Sequence, residues 1–265
     1  MDLQLNGKRA LVTGSTAGIG FAIAQTLAAE GAQVIVNGRT QERVDAALAR
    51  LRAACPQAQV SGIAADLGNA EGVAQLLDAL PDVDVLVNNL GIFFPFKPFD
   101  TMPDSEWFLL FETNVMSGVR LSRHYLPKMK ARDWGRIIFI SSESGITPQP
   151  NMMHYSMTKS AQLSVSRALA EECAGTGVTV NAVLPGPTLT EGIRAFIEPL
   201  AKQNNQTIEE TGRQFVTSAR PTSIIKRLIK PEEVAATVTY LCSPLAAATT
   251  GAAIHAEGGT IVSLI

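Results

Sequence analysis

Apolar positions along the chain alternate between two textures. Short runs dense in Val, Ile, Leu and Ala read as strands: RALVTG (9–14), AQVIVNGR (32–39), VSGIAADL (60–67), VDVLVNN (83–89), GRIIFISS (135–142), GVTVNAVLPG (177–186) and GAAIHAEGG (251–259). Longer amphipathic stretches between them read as helices. The runs are apolar on both faces, which suits strands covered by helices on each side, and strand–helix alternation predicts right-handed βαβ crossovers. The expected fold is α/β, a Rossmann-like doubly wound parallel sheet of about seven strands with helices on both faces. The rhythm breaks once, where residues 191–219 look helical but lead into no strand. That break predicts a substrate-loop insertion near residues 189–220 overhanging the sheet edge, within one domain spanning residues 1–265.

Composition narrows the picture. The chain has 265 residues, 46% of them hydrophobic and 17% charged, enough for a large core and too apolar for disorder. A formal charge of −2, with no run of like charges, gives no general affinity for nucleic acid or an anionic membrane. Partners are therefore expected to be small molecules or further copies of the chain. Cys55, Cys173 and Cys242 lie far apart, without the close Cys or His spacing of a zinc site, and no metal is expected; reduced cysteines fit a cytoplasmic setting. The stretch MDLQLNGKRALVTG has neither the pattern of a secretory signal nor that of a membrane span.

The segment from Arg9 to Arg39 gives strand, glycine-rich turn, helix and second strand in about 30 residues, the size of a mononucleotide-binding unit. Gly14, Gly18 and Gly20 allow positive φ and close backbone approach, and the helix that follows offers unpaired N–H groups to a pyrophosphate. A tight turn needing glycine for geometry alone is the alternative. Farther on, Tyr155 and Lys159 stand four apart at the start of a helix, so their side chains share one face. Ser142 closes the GRIIFISS run, at the strand end where ligands collect in an open parallel sheet. Ser141 competes with it, but strand alternation points the two hydroxyls in opposite directions.

The spacing TGSTAGIG, Gly-x3-Gly-x-Gly, resembles the cofactor loop of the short-chain dehydrogenase/reductase family in its classical branch, including 3-oxoacyl reductase-like members. The resemblance continues through ADL (65–67), NNLG (88–91), Asn114, ISS ending at Ser142, YSMTK (155–159), NAVLPGPTLT and the late EGG. It implies that Gly14, Ser15, Thr16, Ala17, Gly18, Ile19 and Gly20 hold a nicotinamide dinucleotide. It further implies that Asp66 and Leu67 meet the adenine, that Asn88 and Gly91 flank the nucleotide, and that Thr188 and Thr190 meet the carboxamide or the phosphates. From spacing alone Asp66 serves equally as a cap for the following helix, and Thr190 as a helix N-terminal threonine. Leu90 replaces the more usual alanine, which would narrow the pocket.

Gly38 stands where NAD-binding relatives have an acidic residue, and Arg39 follows it. A guanidinium pairs with a 2′-phosphate and stacks on adenine, so NADP(H) is favoured over NAD(H). The alternative is a solvated arginine opening the next helix. Ala17 stands where many NADP-preferring relatives have a second basic residue.

The resemblance implies a catalytic tetrad of Asn114, Ser142, Tyr155 and Lys159. Hydride transfer to a carbonyl requires a proton for the developing alkoxide, and a phenol can deliver one. Lys159 would hold the cofactor ribose and lower the tyrosine pKa from its usual value near 10. Ser142 would donate to the substrate oxygen, and Asn114, placed mid-helix by the pattern, would join the lysine through a water. Asn114 as a helix-bending or packing residue is the plainer alternative.

The expected activity is NADP-dependent reduction of a carbonyl or oxidation of a secondary alcohol, with Tyr155 as general acid/base. The alternatives are a non-catalytic cofactor-binding regulatory member of the same fold, which loss of Tyr155, Lys159 or Ser142 would mark, and an isomerase or dehydratase on the same scaffold. Phe93, Phe94, Phe96, Phe99, Met152 and Met153 suit either an apolar pocket or packing, and His154 either substrate binding or structure. The resemblance also implies a homotetramer or homodimer, with the apolar tail TIVSLI buried against a neighbour.

Overall fold

The computed structural model describes residues 1–263, and within them each of the seven apolar runs forms a strand. These are β1 (Arg9–Val12), β2 (Gln33–Gly38), β3 (Val60–Ala64), β4 (Val85–Asn88), β5 (Gly135–Ile140), β6 (Val178–Pro185) and β7 (Ala253–Ala256). They make one parallel sheet in the order β3-β2-β1-β4-β5-β6-β7. The helices are α1 (Gly18–Ala29), α2 (Gln41–Ala54), α3 (Ala70–Ala79), α4 (Asp104–Phe111), α5 (Ser117–Ala131), α6 (Met153–Glu172), α7 (Glu191–Gln203), α8 (Ile208–Ala219) and α9 (Pro231–Cys242). Among the described residues no helix is long and apolar enough to cross a membrane.

Alternation along the strands divides the core in two. Ala10 and Val12 of β1 join α1, α2 and α9 on one face. Leu11 joins α3, α5 and α6 on the other. Every residue of β5 and β6 is buried, which is why those runs show no polar face in the sequence.

The strand order reverses beside β1: the chain runs outward through β2 and β3, then returns to lay β4 on the opposite side. A crevice opens there, at the carboxyl ends of β1 and β4. Its floor is stitched by Thr13, whose Oγ1 accepts the amides of Asn89 (3.0 Å) and Leu90 (2.9 Å). The Asn89 side chain returns the link, donating to the carbonyls of Thr13 (2.8 Å) and Gly14 (3.1 Å). Gly20 has to be glycine for this to close: a Cβ there would lie 2.4 Å from Asn89 Nδ2 and 2.7 Å from the Gly14 carbonyl.

Two regions depart from the regular plan. Between α4 and α5 the helix widens to a π turn at Glu112–Met116, so Asn114 does not sit in an ordinary α-helix. Residues 191–219 form α7 and α8, as the break in rhythm predicts. They pack on each other through Ile197, Val216 and Leu228, with Ile193 and Phe215 against that cluster. A parallel bridge between Thr188 and Ile229 closes the base of the excursion.

Exposed apolar side chains gather on the short α4, at Phe108, Leu109 and Phe111. At the C-terminal tail Thr260 and Ile261 are buried while Val262 is exposed; Leu264 and Ile265, which share the expectation of a buried tail, lie outside the described residues.

Removing the Thr13 hydroxyl at nearly constant volume, Thr13→Val, leaves the part-buried Leu90 amide without its acceptor and the Asn89 amide with the Val87 carbonyl alone. Urea denaturation is expected to show a loss of about 2 kcal/mol, with the slope unchanged.

Candidate active site

A cavity of about 500 Å³ opens over the β1–β4 crevice. Gly14, Ala17, Gly18, Ile19 and Gly20 form one wall, Asn89 and Gly91 the floor, Ser142, Tyr155 and Lys159 the opposite wall, and Thr188 and Thr190 the roof. Positions separated by up to 176 residues in sequence thus meet at the one place where the sheet cannot close its own edge.

The glycine loop has the conformation its composition implies. Gly14 (φ +58°) and Gly18 (φ +57°) lie in the left-handed region, and a Cβ on Gly14 would press on the Leu90 backbone at 3.2 Å. The Gly18 amide, at the start of α1, donates to the Glu191 carboxylate of α7 at 2.7 Å. An anion therefore already sits where the helix dipole and free N–H groups favour one. Ser15 faces inward instead: its Oγ donates to the Val12 carbonyl (2.6 Å) and accepts the Asn37 amide (3.1 Å), so it ties β1 to β2. Thr16 packs toward Gly38, where a Cβ would meet its methyl at 2.5 Å. An acidic side chain at position 38 would need Thr16 to move.

Arg39 is exposed and makes no ion pair among the described residues, as a solvated arginine would. One helical turn later Arg43 lines the same cavity as Ala17 and Gly18. The sequence reading missed Arg43; its spacing of four from Arg39, on a helix N-terminus beside the loop, was the available signal. Asp66 is exposed and accepts the Gly68 amide at 3.0 Å, while Asn69, not Asp66, caps α3. Leu67 is buried in the core.

Asn88 corrects an expectation. It is buried and donates to Ser122 at 3.2 Å, turned away from the cavity, and its neighbour Asn89 lines the site instead. Alternation at the end of β4 decides which asparagine faces in. Leu90 likewise packs against Gly14 and the core rather than narrowing the cavity.

The tetrad residues come together with distinct supports. Ser141 Oγ donates to the Lys159 carbonyl at 2.8 Å, tethering α6 to β5, whereas Ser142 faces the cavity. Lys159 is buried, with Nζ donating to the Ile140 carbonyl (2.9 Å) and Gln162 Oε1 (3.1 Å). Gln162 donates in turn to the Asn114 carbonyl at 2.6 Å. That carbonyl lies within the π turn, and the link from Asn114 to Lys159 runs through a glutamine that the sequence reading did not identify. The Asn114 side chain braces the Gly91–Phe93 segment, accepting from and donating to the Ile92 backbone at 2.8 and 3.0 Å.

Electrostatics differ from the expectation of a phenol pulled down by ammonium. Burial, and then the Glu143 carboxylate, push the Tyr155 pKa up; the nearby Ser142 hydroxyl and the Arg220 charge offset this in part. Burial pushes Lys159 down to about 7. In a desolvated pocket each group is driven toward its neutral form, and the phenol keeps its proton at neutral pH.

His154 is structural. Fully buried, it accepts the Tyr155 amide at Nδ1 (3.0 Å) and places Nε2 3.3 Å from Glu106, which also holds Lys97 at 2.6 Å. Thr190 caps α7 by accepting the Ile193 amide at 3.4 Å, and Thr188 lines the cavity with its hydroxyl on the Gly186 carbonyl at 2.8 Å. Of the phenylalanines, Phe93 and Phe96 line the cavity, Phe93 edge-on to Tyr155 at 6.3 Å. Phe94 stacks near His154, and Phe99 packs on Trp107.

The chain matches the short chain dehydrogenase family model over residues 8–199. It is 53% identical over 264 residues to the uncharacterized oxidoreductase YvaG of Bacillus subtilis (strain 168), covering 100% of both chains. It is 34% identical over 262 residues to a D-beta-hydroxybutyrate dehydrogenase of Cupriavidus necator, covering 97% of this chain and 99% of that one. The crystal structure of L-sorbose reductase from Gluconobacter frateurii, complexed with NADPH and L-sorbose, superposes with a TM-score of 0.89 at 32% identity, over 100% of both chains.

With Lys159 neutral in the fold but charged when unfolded, unfolding takes up a proton above about pH 7. Stability should then rise with pH, by at most about 1.4 kcal/mol per unit, until about pH 8.5, where buried thiols such as Cys242 begin to oppose it. Urea denaturation at these two pH values is expected to show the wild type gaining stability relative to Lys159→Met.

Proposed function

The chain belongs to the short-chain dehydrogenase/reductase family, and from that premise we propose that it is an NADP(H)-dependent carbonyl reductase with Tyr155 as its general acid. The observation that carries this reading is the convergence of Ser142, Tyr155 and Lys159 on one wall of a cavity whose other wall is a glycine loop already holding a carboxylate.

The residues present fit a nicotinamide dinucleotide. Gly14 and Gly18 provide backbone conformations that other residues rarely adopt, the Gly18 amide donates to a carboxylate, and Gly91 leaves room beside Lys159, whose Nζ would lie 3.3 Å from a Cβ there. The loop from Gly14 to Gly20 would hold the pyrophosphate once Glu191 yields its place. Arg39, with Arg43, would meet a 2′-phosphate; the exposed Asp66 would border the adenine, with Leu67 beneath it in the core; Gly91 and Lys159 would border the ribose; Thr188 and Thr190 would border the nicotinamide. When bound, the nicotinamide supplies the hydride.

The protein's own part is to bind the carbonyl and move a proton. Ser142 donates a hydrogen bond to the carbonyl oxygen, and Tyr155 transfers its phenolic proton to that oxygen as negative charge develops. A phenol that burial keeps protonated is suited to reduction. Lys159, held by Ile140 and Gln162, supplies a proton-bearing group on the same helical face as the phenol and stabilises the phenolate that remains. Asn114 braces both the lysine, through Gln162, and the loop carrying Phe93.

The alternative of a non-catalytic regulator finds no support in the site, because no tetrad member is missing. Assembly as a homodimer or homotetramer would cover the apolar face of α4. Free cysteines at 55, 173 and 242 fit a reducing, cytoplasmic setting.

Tyr155→Phe is expected to bind NADPH with near-normal affinity by fluorescence titration while its carbonyl reduction falls by about 10²–10⁴-fold; full activity would mean that another group is the acid. Arg39→Ala is expected to raise the KM for NADPH at least about tenfold, with a much smaller effect on NADH, and Arg43→Ala should act in the same direction. Equal effects on the two cofactors would remove the NADP assignment.

A further inference from the structure

Glu143, the residue after Ser142, is a buried acid in the wall of the cavity. Only 3% of it is exposed, in a cavity that also presents the apolar side chains of Ile92, Phe93, Phe96, Met152 and Phe215. Its Oε1 accepts from Arg220 Nε at 2.8 Å and from Ser144 Oγ at 3.4 Å. Its Oε2 accepts from Ser142 Oγ at 2.7 Å. Arg220, at the end of α8, also lines the cavity, and its Nη1 donates to the Ala219 carbonyl at 2.8 Å. The insertion thus brings a cation to a carboxylate that touches the oxygen expected to hold the reacting carbonyl.

We propose that Glu143, set by Arg220, reads a hydroxyl on the carbon next to the reacting carbonyl, so that the substrate class is α-hydroxy ketones, including polyhydroxylated ones. This deepens the carbonyl-reductase reading above and rests on it.

Hydrogen-bond exchange between Ser142, Glu143 and the substrate would select for such a hydroxyl. Ser142 spends its only proton on Glu143, yet it must donate that proton to a carbonyl oxygen to assist reduction. A substrate hydroxyl that donates to Glu143 Oε2 replaces the Ser142 proton there and releases it toward the carbonyl. The two oxygens of an α-hydroxy ketone, held syn, are about as far apart as a hydrogen-bonded pair, about 2.8 Å. They match the 2.7 Å between Ser142 Oγ and Glu143 Oε2. A ketone lacking the hydroxyl forces Ser142 to leave a carboxylate for a neutral acceptor and offers Glu143 no replacement.

Other substrate chemistries fit less well. A long acyl chain across this wall would cover an ion pair with methylene groups and remove it from the water that reaches it through the cavity. A carboxylate beside the carbonyl would face Glu143, and Arg220 Nε is already committed to that acid.

The test is steady-state reduction by the purified full-length protein, with NADPH and with NADH, of matched ketones. The pairs are 3-hydroxy-2-butanone against 2-butanone and 1-hydroxy-2-pentanone against 2-pentanone, with a 3-oxoacyl thioester as a third arm. The expected kcat/KM favours each hydroxylated ketone by about 100-fold or more, and Glu143→Gln is expected to lower that ratio at least about tenfold. A ratio near one in the wild type, or preference for the thioester, overturns this inference and leaves the carbonyl-reductase reading standing. A Glu143→Gln variant that slows both members of a pair equally also overturns it, because Glu143 would then only orient Ser142. If no ketone or thioester is reduced with either cofactor, both readings fall.

Discussion

The reversal of strand order between β1 and β4 is the constraint on which the rest of the molecule depends. Parallel strands joined by right-handed crossovers must place their helices on opposite faces to either side of a reversal, so the sheet's carboxyl edge is left uncovered there. Thr13, Asn89 and the carbonyl of Gly14 close the floor of that gap with hydrogen bonds among themselves. Gly20 lets α1 start directly above them. The anion-favouring amide of Gly18, the floor residue Asn89 and the hydroxyls of Ser142 and Tyr155 all gain their positions from this one gap.

Burial sets the chemistry of the gap. Desolvation pushes the Tyr155 phenol up and the Lys159 ammonium down to about 7, so both groups are driven toward their neutral forms. The supports around them are hydrogen bonds to backbone and amide groups: Ile140 and Gln162 for the lysine, Asn114 for Gln162 and for the loop at Ile92. Glu143 and Arg220 bring formal charge of both signs to the cavity wall beside Ser142. Such a buried pair is costly unless its hydrogen bonds are well satisfied.

The insertion joins the two ends of the site. Glu191 at the start of α7 reaches the glycine loop, while Arg220 at the end of α8 reaches Glu143. Between these contacts α7 and α8 share a small apolar cluster of their own. The same segment therefore touches the glycine loop at one end and Glu143 at the other.

Seven strands, their parallel pairing and the helical stretch at 191–219 were legible in the sequence, because period and glycine placement are local properties; the four-residue spacing put Tyr155 and Lys159 on one face, but burial, which is not local, pushed the phenol pKa up rather than down. Other features depend on facing and on distant partners, which sequence does not encode locally. Alternation at the end of β4 put Asn89 in the cavity and Asn88 in the core; one turn of α2 brought Arg43 beside Ala17; a π turn gave the Asn114 carbonyl to Gln162. Sequence placed an acid directly after Ser142 without giving it a use. The tertiary structure decided that Arg220, 77 residues away, would meet it, since only the folded insertion carries that guanidinium over the carboxyl edge of the sheet.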